Sequence, residues 1–325
     1  MNNFLSAKLF HKDIAERATR DGFGEGLVLA AEKNHAIVGL CADLTESTRM
    51  LAFKQKFPER FIQLGVHEQF LTAMSAGLAL GGKIPFIASY AMFSPGRSWE
   101  QVRTNICLNN VNVKIVGAHA GVSVGPDGAT HQAIEDIAIT RVIPNMTIVV
   151  PCDAIQTKKA TLAVAKHVGP TYLRFGREKS PVFTTEATPF TIGTAQILRT
   201  GSDVALIACG MLVYNALLAA QELAKKGISC TVVNNHTIKP MDEKTILAVA
   251  KKCRALVTIE EHQVHGGMGS RVAEITSMFV PTPIEFIGMH DRFGESGEPK
   301  QLLKHFGMDV PAIIAAAKKV LKRKK

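Results

Sequence analysis

The sequence lacks several features that would place it in a common class of protein. Its six cysteines are scattered and form no C-x-x-C pair, so we expect neither a metal-ligand set nor a disulfide framework. No run approaches the roughly 18 uninterrupted apolar residues of a membrane helix. Charges interrupt residues 1–20 before the apolar core of a secretory signal could form. We therefore expect a cytoplasmic protein that contacts no membrane.

Charged residues are also scarce, at 20% of the chain, whereas hydrophobic residues make up 46%. That balance excludes a disordered chain, and 325 residues predict two domains, each with a sizeable core. The net charge is +10, and the tail "KKVLKRKK" (318–325), which we expect to be solvated and frayed, contributes heavily to it. No basic stretch is interleaved with aromatics, so we expect no nucleic-acid binding. The remaining charge suits an anionic substrate or an acidic partner chain.

Short apolar runs alternate with helical stretches along the first half of the chain. Strands are predicted at 35–44, 60–66, 84–90, 113–119, 146–153 and 171–176, with helices at 68–82 and 98–110. Apolar runs of this length, separated by helices, indicate a parallel sheet that is covered on both faces.

A second α/β series follows a stretch rich in Pro, Thr and charge, "REKSPVFTTEATPF" (177–190). Its predicted strands are 203–210, 228–235 and 255–261, and its predicted helices are 211–227, 241–253 and 269–279. The sequence thus predicts two doubly wound α/β domains, residues 1–180 and 191–325, joined by a linker at 181–190. In such sheets ligands bind beyond the carboxyl ends of the strands.

Polar groups collect where the predicted strands of the first domain end. Glu68 follows the second strand, and His119 leads into the glycine-rich loop "AGVSVGPDGATHQAIED" (120–136). Each group alone could be a cap or a turn residue, since Asp127-Gly128 is a good turn pair and Thr130 could cap a helix. Together they indicate a site. The groups are Asp43, Thr45, Ser47, Thr48, Glu68, His119, Asp127, His131 and Gln132.

Two further stretches could be functional or structural. The glycine-rich loop contains neither G-x-x-x-x-G-K-[ST] nor a complete G-x-G-x-x-G. "HGGMGS" (265–270) lies between a strand and a helix, where it could bind an anion at the helix N-terminus or form a tight turn. "TIKPMD" (237–242) is typical of a turn into a helix.

Glu68 is unusual because it lies between "RFIQLGV" and "FLTAMSAGLALGG", both of which are expected to be buried. An exposed carboxylate here would be stabilised by the helix dipole. A buried one could share a proton with a ring nitrogen, which is useful chemistry on an aromatic heterocycle. Tyr90 and Phe93 in "SYAMFS" (89–94) offer flat surfaces for such a ring, although they could also be ordinary core aromatics.

Three stretches resemble the C-terminal portion of transketolase: "GVHEQFLTAMSAGLALGGKIPFIASYAMF", "GPDGATHQAIEDIAITRVIPNMTIVVPCD" and "TYLRFGRE". This thiamine-diphosphate family also contains deoxyxylulose-phosphate synthase and the β subunits of 2-oxo acid dehydrogenases. The resemblance covers nearly the whole chain. It implies a pyrimidine-binding domain with a parallel sheet, followed by a smaller C-terminal α/β domain.

The resemblance also implies roles for individual residues. Glu68 would hydrogen-bond N1′ of the cofactor's aminopyrimidine and favour its imino tautomer, while Tyr90 and Phe93 would stack on that ring. His131 would contact the sugar near its reacting end, and Asp127 would bind a hydroxyl. The remaining positions would hold a substrate phosphate. They are Arg20, Ser47, His119 and Arg177.

One part of the family pattern is absent from this sequence. The family binds the cofactor's diphosphate through Mg²⁺ with a G-D-G motif, and no G-D-G occurs here. The resemblance therefore implies the C-terminal subunit of a split transketolase that is inactive alone. The Mg²⁺ ligands would lie on a separate N-terminal subunit in an α₂β₂ assembly, and this chain would hold no metal.

The implied reaction transfers a two-carbon ketol unit between sugar phosphates, as in the pentose phosphate pathway. Three alternatives stay open: a 2-oxo acid dehydrogenase β subunit, an enzyme like deoxyxylulose-phosphate synthase, and a non-catalytic paralogue. The histidine in "DGATHQ" and the arginine set favour sugar phosphates.

Overall fold

The computed structural model describes residues 4–324, so the predicted domain limits at residues 1 and 325 lie outside the described residues. Its strands are β1 (Glu16–Ala18), β2 (Ile37–Cys41), β3 (Phe61–Gln63), β4 (Ile84–Tyr90), β5 (Lys114–Ala118), β6 (Thr147–Val149), β7 (Thr171–Arg174), β8 (Lys179–Pro181), β9 (Gln196–Arg199), β10 (Val204–Ala208), β11 (Cys230–Asn234), β12 (Thr237–Lys239), β13 (Leu256–Gln263) and β14 (Ile284–Met289).

Helices connect most of these strands. The α-helices are α1 (Thr19–Lys33), α2 (Leu51–Lys56), α3 (Glu68–Leu80), α4 (Trp99–Gln101), α5 (Asp136–Arg141), α6 (Ala154–Lys166), α7 (Leu212–Ala224), α8 (Glu243–Cys253), α9 (Met268–Phe279), α10 (Pro299–His305) and α11 (Val310–Leu321). Two stretches are 3₁₀ turns, Pro58–Arg60 and Val122–Asp127, and Val102–Cys107 is π-helical. The predicted helix at 98–110 is therefore present, but most of it has π geometry.

The first sheet has seven strands in the order β12-β6-β7-β5-β4-β2-β3. All neighbours are parallel except β12, which pairs antiparallel with β6. The chain crosses from β2 to β3 in one direction and then back past β2 to β4. This reversal makes the β2–β4 junction a topological switch point, where ligands bind in folds of this class.

The second sheet has five strands in the order β14-β13-β10-β11-β9, parallel except for the edge strand β9. The two parallel sheets with intervening helices confirm the predicted fold class. The segment 177–190 between them is packed rather than free, because Phe183 is fully buried and Thr184 Oγ1 donates to Asp153 Oδ1 at 2.7 Å.

Residues of the first sheet alternate between two apolar clusters. Leu40 and Ile87 belong to one cluster, whereas their strand neighbours Cys41 and Phe86 belong to the other. Successive side chains of a strand point to opposite faces, so both faces of this sheet are buried under helices. That is why its strands read as continuous apolar runs in the sequence.

Helices α1 and α6 cover one of these faces, and they approach each other closely at two glycines of α1. A Cβ on Gly22 would lie 1.9 Å from the carbonyl oxygen of Ala154, and one on Gly26 would lie 2.8 Å from Cβ of Thr161. The glycines are four residues apart and so share one face of α1. This contact fixes the position of α1 against α6. Arg20 is the second residue of α1, so its backbone is held in place as well.

Two local expectations are wrong, and a third is incomplete. The basic tail is not frayed over 318–324, because its first four residues lie in α11, Arg323 pairs with Glu285 at 2.6 Å and Lys324 Nζ donates to the carbonyl of Asp203. "TIKPMD" does lead into a helix, α8, but its first three residues form β12. Thr130 caps no helix, because α5 begins only at Asp136.

Among the described residues, no helix is long and apolar enough to cross a membrane.

Candidate active site

Glu68 is the first residue of α3, at the switch point of the first sheet, and it is only 2% exposed. Its Oε1 accepts a hydrogen bond from Ser89 Oγ at 3.1 Å. Among the described residues Oε2 has no hydrogen-bond donor. The helix N-terminus stabilises the negative charge, and the free oxygen can accept an N–H from a ring bound beside it.

Four rings converge at the ends of β4 and β5 and form what we call the ring cluster. They are the rings of Tyr90, Phe93, His119 and His131. The ring centroids of Tyr90 and His119 are 4.2 Å apart, and those of Phe93 and His131 are 5.3 Å apart at nearly a right angle. Tyr90 also lies 6.2 Å from His131 and 6.5 Å from Phe93, with which it is nearly parallel. Ser89, the donor to Glu68, directly precedes Tyr90, so the carboxylate and the aromatic group lie at the same end of β4.

Positive charge surrounds His119. Its Nε2 lies 3.3 Å from Nη1 of Arg20, which also donates to the carbonyl oxygen of Ser47 at 3.0 Å. Burial, followed by the charges of Arg20 and Arg177, lowers the pKa of His119 to about 3. The imidazole is therefore neutral at physiological pH. Burial also lowers the pKa of Arg20.

Arg20, His119 and Arg177 form what we call the basic group. Two of its buried nitrogens lack hydrogen-bond partners within residues 4–324. They are Nε of Arg20 and Nδ1 of His119. Unpartnered buried donors are uncommon in folded proteins, and at a sheet edge they are typical of a place where a ligand binds. An anion would satisfy both nitrogens and the surrounding positive charge.

The loop that follows His119 carries Asp127 and His131. Arg177 lies 3.3 Å from Asp127 Oδ2 and donates to the carbonyl oxygen of Val124 at 3.0 Å. Thr130 Oγ1 and His131 Nδ1 are 2.9 Å apart. The structure thus links six sequence-predicted site residues through contacts, and Asp127 and Arg177 form a separate pair. The six are Arg20, Ser47, Tyr90, Phe93, His119 and His131. Glu68 bonds to Ser89, the neighbour of Tyr90 in the chain.

Ser47 and the other polar residues after β2 contribute differently. Ser47 reaches Arg20 through its backbone carbonyl, and its hydroxyl makes no hydrogen bond within the described part of the chain. Asp43 and Thr45 bond to Gln63, and the hydroxyl of Thr48 donates to the carbonyl of Leu44. These last three side chains shape the β2 loop rather than face the ring cluster.

The stretch "HGGMGS" already binds a carboxyl group of this chain. Glu260 is buried at the N-terminus of α9, where its carboxylate oxygens accept hydrogen bonds from the backbone N–H groups of Met268 at 2.7 Å and Gly269 at 2.8 Å. A Cβ on Gly267 would lie 2.3 Å from Glu260 Oε2. This helix N-terminus is therefore already occupied, and the tight-turn interpretation is the correct one.

Sequence reasoning missed three contributors to the site. Ser89 lies within the predicted strand 84–90, and its position just before Tyr90 is the only feature of the sequence that points to it. Gln132 was noted in the loop without a role, and Glu261, in the second half of the chain, was not considered.

In residues 4–324 no group of three or more His, Cys, Asp or Glu side chains could hold a metal ion.

Two family models match this chain. The model for the pyrimidine-binding domain of transketolase matches residues 15–182, and the model for the transketolase C-terminal domain matches residues 193–313. The first match spans every residue of the ring cluster and the basic group. The second begins just before β9 and ends within α11.

Individual relatives match over almost their whole length. A Methanocaldococcus jannaschii chain with the provisional name transketolase C-terminal section is 42% identical over 95% of this chain and 97% of its own. A 6-deoxy-6-sulfo-D-fructose transketolase subunit from Clostridium sp. (strain MSTE9) is 39% identical over 97% and 98%. The solved structure "Split gene transketolase, inactive beta4 tetramer" is 42% identical, with a TM-score of 0.89 over 95% and 99% of the two chains.

Proposed function

The chain belongs to the transketolase family as a transketolase-type transferase subunit, and on that premise we propose which residues do its chemistry and with what partner. The reaction is transfer of a two-carbon ketol unit between sugar phosphates. One observation supports this proposal above the others. A buried carboxylate with a free oxygen lies at the same sheet edge as a cluster of aromatic rings and a basic group.

Thiamine diphosphate is the cofactor that the family implies, and the residues fit its pyrimidine. Glu68 offers one free carboxylate oxygen to a ring N–H, while Ser89 fixes the other. Tyr90 and Phe93 present flat surfaces at the same end of β4. When bound, the cofactor supplies a carbon nucleophile and an electron sink for cleavage of a carbon–carbon bond. Glu68 holds the proton at the ring nitrogen, which is its part in the reaction.

The basic group suits the phosphate of a sugar substrate. Arg20 and Arg177 supply positive charge, and neutral His119 can donate one hydrogen bond without adding a third charge. The unpartnered Nε of Arg20 and Nδ1 of His119 are available to phosphate oxygens. Ser47, which follows β2 and touches Arg20, completes this subsite.

His131 and Asp127 are proposed to orient the sugar. His131 lies against Tyr90 and Phe93, so its ring is next to the place proposed for the pyrimidine. Asp127, held by Arg177, can accept a hydrogen bond from a sugar hydroxyl. Together the two side chains would set the reacting carbonyl above the cofactor.

We also propose that a separate N-terminal subunit holds Mg²⁺ and the diphosphate and forms an α₂β₂ enzyme with this chain. Two relatives bear the words "C-terminal section" and "subunit", and the name of the solved relative joins "split gene" with "inactive beta4 tetramer". Cytoplasmic location and a place in the pentose phosphate pathway stay predictions.

The substrate claim is tested with the purified two-subunit mixture, thiamine diphosphate and Mg²⁺. Xylulose 5-phosphate with ribose 5-phosphate is supplied in one reaction and pyruvate with glyceraldehyde 3-phosphate in another. Formation of a seven-carbon sugar phosphate in the first reaction supports the proposal. Turnover in the second reaction alone would reassign the chain to deoxyxylulose-phosphate-synthase-like chemistry.

A further inference from the structure

The loop of residues 119–132 carries three proposed site residues, His119, Asp127 and His131, and it touches the C-terminal half of the chain along its length. We propose that Gln132 is a positioning residue through which the C-terminal half holds this loop in its working conformation. The effect on turnover rests on the proposed function. The effect on the loop itself does not.

The loop cannot hold its own shape by local preference. His119, Gly121, Gly125 and Gly128 all have positive φ, at 56°, 88°, 83° and 74°. A positive φ is unfavourable for a residue with a side chain, such as His119, and glycines add flexibility to the unfolded segment. A backbone of this kind persists only where tertiary contacts fix it.

Gln132 supplies such contacts from inside the loop. Its side chain is 2% exposed, and Nε2 donates to the carbonyl oxygens of Val122 and Glu295, each at 3.0 Å, with Gly125 O at 3.4 Å. Val122 and Gly125 belong to the loop, whereas Glu295 lies in the segment 290–298 after β14. One amide group therefore ties both sides of the loop to the C-terminal half.

The segment 290–298 has no spare room against the loop. A Cβ on Gly294 would lie 1.8 Å from Oε1 of Gln132, and one on Gly128 would lie 2.5 Å from Oγ of Ser296. A Cβ on Gly125 would lie 3.2 Å from the carbonyl oxygen of Gly297. The segment thus packs against the loop at three places, and Gln132 is the side chain that hydrogen-bonds across the contact.

Strand β13 holds the start of the loop. Glu261 Oε1 accepts a hydrogen bond from the backbone N–H of Ser123 at 2.5 Å, and a Cβ on Gly121 would lie 2.4 Å from that same oxygen. Arg174 Nη2 in turn donates to the carbonyl oxygen of Glu261 at 2.8 Å. With its start held by Glu261 and its end by Gln132, the loop presents Asp127 and His131 between two fixed points.

Two variants test the proposal from opposite sides of the contact. Gln132→Met keeps a side chain of similar size and removes the amide. Gly294→Ala leaves Gln132 intact but forces its amide out of place, and the residues around Gly294 are largely exposed. Gln156→Met is the matched control. Gln156 is 1% exposed, like Gln132 a buried glutamine, and its amide bonds to Gln196, Asn234 and the N–H of Cys152 rather than to the loop.

The first readout is hydrogen–deuterium exchange of the full chain. Both Gln132→Met and Gly294→Ala should raise the exchange rates of residues 121–132 about tenfold, while Gln156→Met leaves them at the wild-type values. The second readout is steady-state kinetics of the two-subunit mixture with xylulose 5-phosphate and ribose 5-phosphate. There kcat should fall about 10- to 100-fold with the KM for thiamine diphosphate unchanged.

Unchanged exchange in both loop variants would overturn the proposal, as would an equal increase in the Gln156→Met control. An exchange increase without a fall in kcat would show that the loop's order does not matter for turnover, and this too would overturn it. If the wild-type mixture transfers no ketol unit while loop exchange responds as expected, the proposed function fails and the tethering of the loop stands.

Discussion

Single residues of the site divide into two kinds by charge. Glu68 is a buried carboxylate with one free oxygen, whereas Arg20 and Arg177 place positive charge around a neutral His119. In the proposed function the carboxylate serves a ring nitrogen of the cofactor, and the arginines serve a phosphate. This separation of charge would let one sheet edge bind both a heterocycle and an anion.

Arg20 is expected to act on substrate affinity. Arg20→Lys removes the unpartnered Nε and the planar fork, so the KM for ribose 5-phosphate should rise about tenfold while kcat changes little. The measurement is steady-state kinetics of the assembled enzyme. Arg49→Lys, whose arginine pairs with Asp21, is the control. An unchanged KM in Arg20→Lys would remove this residue from the phosphate subsite.

His236 is expected to link folding to pH. It is fully buried, and burial lowers its pKa to about 4 from the ordinary histidine value of 6.5. Between these values the unfolded state binds a proton that the folded state does not, so stability falls as pH falls through that window. Because its folded pKa is the lower one, this cost is absent above about pH 7.

The linkage is measured by urea unfolding at pH 6.5 and pH 4.5. Between those two pH values the free energy of unfolding of His236→Gln should fall by about 2 kcal/mol less than that of the wild type. The free energy of unfolding of His35→Gln, a substitution of an exposed histidine, should fall by as much as that of the wild type. Equal pH dependence in wild type and His236→Gln would show that His236 is not the group that titrates.

At the level of elements, α9 depends on a carboxylate from the neighbouring strand. Glu260 accepts hydrogen bonds from two buried N–H groups at the start of this helix. Glu260→Ala would leave both unsatisfied and should lower the free energy of unfolding by about 2–4 kcal/mol. Glu243→Ala, which removes a partly exposed partner of Arg271, should cost at most about 1 kcal/mol. If urea unfolding gave equal decreases in the free energy of unfolding for Glu260→Ala and Glu243→Ala, the role of Glu260 at the start of α9 would be contradicted.

Elements with strong local signals could be predicted from the sequence. Strand β4 was predicted at 84–90 and is found there, because its apolar run begins just after Gly81 and Gly82 and ends before the turn that contains Pro95 and Gly96. The short β12 was missed, because three residues give no periodicity and its partner β6 is remote in the sequence. The π geometry of Val102–Cys107 was also beyond reach, since its apolar spacing differs little from that of an α-helix.

The site was predictable to the extent that it follows one sheet edge. Glu68, His119 and His131 come directly after strands or in the loop that follows one, and parallel strands bring such positions together. Gln132 and Glu261 could not be assigned roles, because their contacts join residues 163 and 138 positions apart. No local pattern records a contact between the two halves of a chain.

At the scale of the whole molecule, the two domains act as one unit around the site. The first contributes the carboxylate, the rings and the basic group, and the second fixes the loop between them and adds β12 to the first sheet. We propose that together they provide half of a transketolase site, and that another chain holds the diphosphate and its metal.

The most direct test of this account is the rate of ketol transfer from xylulose 5-phosphate to ribose 5-phosphate with thiamine diphosphate and Mg²⁺ present. It is measured for this chain alone, for its N-terminal partner alone, for the two together, and for the pair with Glu68→Gln. The account predicts turnover only in the wild-type pair, and a loss of at least about 100-fold in the Glu68→Gln pair with the fold retained. Turnover by this chain alone, or a near-normal rate with Glu68→Gln, would contradict it.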